Sequence, residues 1–438
     1  MSKKVAIRII LLFLITIMFF VAIHRHLFGD GSFYLMKILT QEEFFIPHQA
    51  RFLAIVIKEL LPVLLVKAGT TNISFLSFAY GLNHFLIPLF SFALSLWICR
   101  TEKKPYLIAI VFSSYAFLFC NTSLNITSET HVAGAIFWPT FLTVYNQKRY
   151  LFAAIGIILL WFSYEGSFIL LSVILFALLI KSHESHRRYP LLGLCMIGIV
   201  ITLYFTLFPH DQAHIDNRYY SITRVLYLFG YITFWLSLIL VFSPLLILIK
   251  NIRINSTYLI LICSLSGALY LLWPFLTENS LNPTLHYFGR VLNVFVPAFL
   301  GILILLNERY QYLNNAQIIP IKFFAIVTII TVLNQLNYSI HWHQYMNHFR
   351  NSIKVNYGIV DYDNSLLNQD AESMVFHKDW ATPTMSVLIQ IMYSSEIKTI
   401  IKNGKPDIWQ PWNPQDKNSW PDLSKYNVTY DLSSSSDP

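Results

Sequence analysis

Eleven predominantly apolar runs of 14 to 27 residues, joined mostly by short polar connections, leave this chain few ways to fold. They cover residues 5–23, 73–99, 106–120, 132–146, 150–163, 166–181, 190–208, 225–249, 256–274, 291–306 and 319–337. A helix that crosses a bilayer needs roughly 17 to 25 apolar residues, and fewer where neighbouring helices shield its ends. Backbone groups in hydrocarbon must pair within their own segment, so such runs are read as helices. Composition agrees. Hydrophobic types reach 55% and charged types only 12%, about half the charge of a soluble domain, and mean hydropathy is +0.53. A disordered chain, a nucleic-acid-binding domain and an ordinary soluble enzyme are excluded. The four cysteines sit in or beside apolar runs, where a thiol behaves as a small hydrophobe and does not staple a secreted scaffold. The expectation is an all-α polytopic membrane protein of about 11 transmembrane helices.

Lysine and arginine set its orientation. With the N-terminus (Lys3, Lys4, Arg8) inside, alternation gathers 15 basic residues and three acids, Glu102, Glu184 and Glu308, on the cytoplasmic side. The opposite side then carries 16 basic and 20 acidic residues, so the net charge of +8 divides into +12 inside and −4 outside. The chain reads as N-in and C-out, and its basic excess as a topogenic signal. The first run is long, with no small-residue cleavage site after it, and reads as an uncleaved signal anchor.

Two parts lie outside this pattern. A long first outer loop spans 24–72, within a transmembrane domain of residues 1–337. A C-terminal extracytoplasmic domain of mixed α/β or irregular structure spans 338–438, with a helical stretch expected over 384–403. Segment 52–66 is apolar but carries Lys58, Glu59 and Pro62. A second crossing there would invert every downstream loop, so it reads as an amphipathic helix lying on the outer membrane face.

Soluble-enzyme motifs are absent: no dinucleotide or P-loop glycine pattern, no zinc-protease pair and no nucleophile elbow occur. Chemistry must come from ionisable groups at the membrane boundary, which are costly there unless paired or used. Asp30, in HRHLFGDGSFY, is flanked by Gly29 and Gly31. It suits a general base or a cation ligand, and equally a turn residue or helix N-cap. Glu129 opens a span in NTSLNITSETH, as part of a capping box or as a partner of His131. Glu165 sits in the Tyr164-Glu165-Gly166 turn between two short runs, facing a polar cavity if those helices stop below the surface. His286-Tyr287-Phe288-Gly289-Arg290 lies directly before the tenth run, and Arg290 at a helix N-terminus is disfavoured by the dipole, so it suits a phosphate; the other reading is an interfacial anchor. Arg51, Lys58, Arg218 and Arg224 depart from the positive-inside trend. His210, Asp211, His214 and Asp216 read as a polar loop, and Asp361–Asn364 lacks the glycine and glutamate of a calcium loop.

This layout resembles the GT-C class of membrane glycosyltransferases: an N-in first span, then a long outer loop opening with an acid, many spans of uneven length, and a soluble C-terminal domain outside. The resemblance implies a polyprenyl-phosphate-linked sugar as donor, a glycan, lipid or protein as acceptor, and an active face in the periplasm of a bacterial inner membrane. It implies Asp30 as the catalytic acid, and a lipid-phosphate contact in His286, Tyr287 and Arg290, with Arg51, Glu129 and Glu165 as further substrate-binding candidates. Many members pair two acids where this chain has Asp-Gly. A divalent cation such as Mg or Mn belongs with the resemblance, although no metal-ligand set is legible. No nucleic-acid partner is expected. A transporter, flippase or polymerase of lipid-linked glycans is the rival reading; a transporter would carry ionisable groups deep in its spans, where Asn83 and His84 are the chief candidates.

Overall fold

The computed structural model describes residues 2–46, 48–102, 104–122, 128–180, 188–208, 226, 228–250, 255–276, 289–313, 319–362, 365, 381–402, 413 and 416–432. Fourteen α-helices are defined there. They are α1 (Lys3–Ala22), α2 (Asp30–Gln41), α3 (Phe52–Lys67), α4 (Ile73–Thr101), α5 (Pro105–Asn121), α6 (Glu129–Tyr145) and α7 (Tyr150–Trp161). They continue as α8 (Ser167–Ile180), α9 (Arg188–Leu207), α10 (Ile232–Phe242), α11 (Ser256–Leu276), α12 (Leu292–Tyr310), α13 (Ile321–Val355) and α14 (Thr382–Ile391). Six of them, α1, α4, α9, α11, α12 and α13, are long and apolar enough to cross a membrane. The protein is therefore mainly helical, with the surface of a membrane protein: Leu151, Phe90, Ile15 and Val200 are all more than 60% exposed, which water would penalise and lipid does not.

Packing divides the chain into two compact units. The first comprises residues 1–16, 46–57 and 85–335; the second comprises 17–45, 58–84 and 336–438. Segments of the first long loop thus cluster with the C-terminal tail. In the first unit, α5 and α6 form the centre. Every residue of 106–121 is buried, and so is every residue of 129–145 except Ile136. α6 packs against α7, α8 and α12, while α10 packs against α5 and α11. Gly134 makes the α6–α12 approach possible, because a Cβ there would lie 2.5 Å from the Asn293 carbonyl oxygen. Helices α7 and α8 have only 12 and 14 residues. At about 1.5 Å per residue they fall short of the roughly 30 Å hydrocarbon core. The run at 225–249 is not one regular helix either: α10 is followed by a 3-10 segment, Ser243–Leu248, with Pro244 near its start.

In the second unit, α2 and α14 pack together beside two small parallel pairs. β1 (Gly358–Asp361) pairs with β3 (Thr399–Lys402), and β2 (Glu396–Ile397) pairs with β4 (Thr429–Tyr430). The helix expected over 384–403 ends at Ile391. Tyr393, Ser394 and Ser395 interrupt the apolar pattern, and the following Ile397, Thr399, Ile400 and Ile401 are β-branched and favour a pleated surface. Gln390 joins the two elements. Its Nε2 donates to the Thr399 carbonyl at 2.6 Å, and its Oε1 accepts from the Lys398 and Thr399 amides at 2.9 and 3.2 Å. The segment expected on the membrane face is the regular helix α3, yet Lys58 and Glu59 are both fully buried. Their charges are taken up inside the second unit and do not form a wet helix face. The Lys58 Nζ lies 3.7 Å from the centre of the Tyr34 ring, and the Glu59 carboxylate accepts from the Phe45 amide at 3.0 Å.

Candidate functional site

In the first unit, the end of α5, the starts of α6 and α12 and the α7–α8 turn come together. The short turn Gln49–Arg51 reaches this place because the amide of Leu53, at the start of α3, donates to the Phe162 carbonyl after α7 at 2.9 Å. Arg51 then grips Glu165 with two parallel bonds, Nε to Oε2 at 2.9 Å and Nη2 to Oε1 at 2.5 Å. Its Nη1 reaches Glu129 Oε2 at 3.5 Å, and its guanidinium carbon sits 5.4 Å from the Tyr164 ring centre. Only a planar fork can serve one carboxylate bidentately while touching a second. The side chains of Arg51 and Glu129 are 15% and 4% exposed. Burial is the largest influence on Arg51 and works against its charge. Glu165, Glu129 and Tyr164 together outweigh it, leaving the guanidinium pKa well above its usual value.

Glu129 is the first residue of α6, where its charge suits the helix dipole. Ser128 caps that helix by accepting from the Thr130 amide at 3.3 Å, so Glu129 does not close a capping box. Asn293 of α12 donates to Thr130 Oγ1 at 3.3 Å, while its amide oxygen accepts from Thr122 Oγ1 at 3.2 Å. This hydroxyl–amide chain ties the ends of α5, α6 and α12 together beneath the charges. Gly289 lies against Thr122, which brings Arg290 to the same end of the unit. Tyr164 was legible only as a turn residue, and the structure adds it to the site. Burial first, then Glu165, push its phenol up to about 12 against the opposing pull of Arg51 and Arg290. It stays protonated at neutral pH and can donate a hydrogen bond.

Asp30 belongs to the second unit. It is the first residue of α2, partly exposed, and its N-cap is Gly29 with φ +58° and ψ −123°. Asp30 is therefore not the cap itself. The left-handed φ at Gly29 is one that a side chain resists, and it explains why glycine precedes the acid. Ser32 Oγ donates to the Gly29 carbonyl at 3.1 Å and secures the turn. Arg51, Glu129 and Glu165 are thus brought together, with Arg290 acting on the same tyrosine. His286, Tyr287 and the histidine–aspartate segment at 210–216 lie outside the described residues. Asn83, considered for a transport path, donates to the Lys58 carbonyl at 2.5 Å.

A second polar cluster occupies the other ends of α5, α6 and α12. Lys104 approaches Glu308 at 3.5 Å, Lys148 pairs with Glu102 at 2.9 Å, and the Tyr145 hydroxyl donates to Glu308. Two of the three acids expected among the basic loops are thus engaged by lysine. Among the described residues no group of three or more His, Cys, Asp or Glu side chains gathers as a metal-ligand set. No family model, curated protein or solved structure matches this chain.

Proposed function

We propose that the protein is an integral membrane glycosyltransferase of GT-C type. In this reading it moves a sugar from a polyprenyl-phosphate donor to an envelope glycan, lipid or protein acceptor. The observation that carries it is the buried Arg51–Glu165–Glu129 cluster with Tyr164, at the end of the bundle where Arg290 lies in the turn just before α12. A soluble enzyme has little use for such a cluster among apolar helix ends, whereas a lipid-linked donor needs hydrocarbon for its tail and donors for its phosphate. Eleven spans, N-in and C-out, belong to the same reading: α1 and α4 to α13 are eleven apolar helices, six of full length. With Lys3 and Lys4 inside, alternation turns the α7–α8 hairpin toward the outer face.

The reaction is a single inverting displacement. Asp30 takes the proton from the acceptor hydroxyl, the oxygen attacks the anomeric carbon, and the bond to the lipid phosphate breaks. The leaving phosphate keeps the electron pair. Within the first unit, Arg290 and the protonated Tyr164 are the groups suited to a phosphate, the one by charge and the other as a donor. Arg51 is already engaged by two carboxylates, so its part is to hold Glu165 and Glu129 in place.

The test is transfer of labelled sugar from a polyprenyl-phosphate donor pool, in membranes carrying wild type or Asp30→Asn at matched expression. Product from wild type and none from the variant is expected. Equal product from both would remove Asp30 from the reaction and return it to a turn role. The flippase reading predicts instead that wild type moves a labelled lipid-linked glycan across vesicles without making a new glycosidic bond.

A further inference from the structure

In the second unit a pocket of about 380 Å³ opens where the turn before α4 meets the segments after α14 and before β4. Asn72, Ser74, Ser394, Ser395, Tyr393 and Tyr426 supply its polar lining, beside apolar residues such as Ile73, Met392 and Val428. Most of these groups are anchored at one atom. Asn72 Oδ1 accepts from the Phe75 amide at 3.0 Å, Ser74 Oγ donates to the Met392 carbonyl at 3.0 Å, and the Tyr426 hydroxyl donates to the Leu39 carbonyl at 3.1 Å. The Asn72 amide nitrogen and the Ser395 hydroxyl keep their own bonding capacity. Fixed donors and acceptors beside an exposed aromatic ring are what a sugar needs for recognition.

At Tyr393 this wall meets a cluster of donors. Arg350 lies 4.7 Å from the Tyr393 ring centre and its Nη2 donates to the Tyr393 hydroxyl. His24 Nε2 lies 3.3 Å from that hydroxyl. Arg350 Nε and His24 Nδ1 are both buried with no hydrogen-bond partner. Arg350 has no ion pair among the described residues, and two acids of the same unit are already paired: Glu396 with Lys398 at 3.3 Å and Glu42 with Lys425 at 2.6 Å. The result is a cationic, donor-rich corner in which Arg350 Nε has no acceptor. Burial and then the Arg350 charge hold His24 neutral, its pKa down to about 4.

We infer that this pocket binds an acidic sugar, its hydroxyls held along Asn72, Ser74, Ser394 and Ser395 and its carboxylate or phosphate held by Arg350 with Tyr393 and His24. The anion supplies the missing acceptor to the guanidinium, and the exposed Tyr393 ring offers a face for stacking. Under the transferase reading this is a subsite for an acidic acceptor glycan. That role rests on the reading, but the binding does not, and it is measured without turnover.

The experiment uses the full chain in nanodiscs and ligand-observed saturation-transfer NMR with glucuronate, glucose 6-phosphate, glucose and inorganic phosphate. Glucuronate or glucose 6-phosphate should bind about tenfold or more tightly than glucose, the effect of one charge-assisted hydrogen-bond set. The stronger of the two acids identifies the anion as carboxylate or phosphate. Arg350→Gln should abolish the preference. Lys417→Gln, an exposed cation elsewhere in the unit, should leave it intact. Tyr393→Phe, at a 63% exposed position that tolerates change, should weaken the acids while the unfolding midpoint stays put. Equal binding of glucose and glucuronate, phosphate as tight as glucose 6-phosphate, or no binding to wild type would each overturn the inference.

Discussion

At the scale of single residues, charge pairing under partial burial governs the site. Arg51 serves two carboxylates with one planar group. Replacing it with glutamine removes the bidentate grip on Glu165 and the contact with Glu129, and should cost about 3 kcal/mol of stability. The loss is read as a lower unfolding midpoint in detergent by tryptophan fluorescence. The double variant Arg51→Gln with Glu165→Gln should recover part of that loss, since the carboxylate that lost its bidentate partner is gone as well. Lysine at position 51 should not restore wild-type stability, because a point charge cannot reproduce the bidentate grip. Histidines add a pH dependence in the second unit. Burial, then Arg350, lowers His24 from 6.5 to about 4, and burial, then His24, lowers His26 well below its usual value. Between those values the unfolded chain binds protons that the folded chain refuses, so stability is full above about pH 6.5 and falls as pH drops toward 4. His24→Gln should make the midpoint-versus-pH curve shallower over that window, without flattening it while His26 remains. Arg51, Glu129, Glu165 and Asp30 stand out in the sequence as charges beside apolar runs. Tyr164 does not, because one more aromatic at a boundary carries no signal among 25 tyrosines.

At the scale of elements, helix ends are positioned by close packing and by buried polar bonds. Gly134 admits the Asn293 backbone at a distance no Cβ tolerates. Gly134→Ala should therefore push α12 away from α6, lower the unfolding midpoint and disturb the Thr130–Asn293–Thr122 chain beneath the charges. Gly193 in α9 has nothing within 4 Å of its would-be Cβ. Gly193→Ala should be neutral or stabilising by up to about 1 kcal/mol through helix propensity, which makes it the matched control. The short hairpin α7–α8 was legible as two of the briefest apolar runs, with Glu165 at its tip. Its partner was not, since Arg51 is 114 residues away and arrives through the Leu53–Phe162 bond. The change from helix to strand after Ile391 was missed for a related reason. An apolar stretch with few breakers fits either period, and Gln390 bonds and pairing with β1 decide between them.

At the scale of the whole molecule, the prediction concerns orientation. The four native cysteines are all buried, so an impermeant maleimide should leave the native protein unlabelled. In intact spheroplasts a cysteine at exposed Glu396 should label, whereas one at Lys4 should label only after permeabilisation. Labelling at both, or the reverse pattern, would refute the N-in, C-out reading. What the sequence by itself determined is the class: apolar runs of this length, with little charge, can satisfy their backbones only as helices in a membrane, and the asymmetry of Lys and Arg suggests which way they face. Those are sums over local composition, and no distant contact can reverse them. Which charges meet was left to tertiary structure. Arg51 with Glu165 and Glu129, the grouping of the first long loop with the tail, and the donor corner of His24, Arg350 and Tyr393 each join residues far apart in the chain. Such pairings depend on helix crossings and turn lengths, and single-chain patterns do not encode them because packing chooses among many partners of equal local merit.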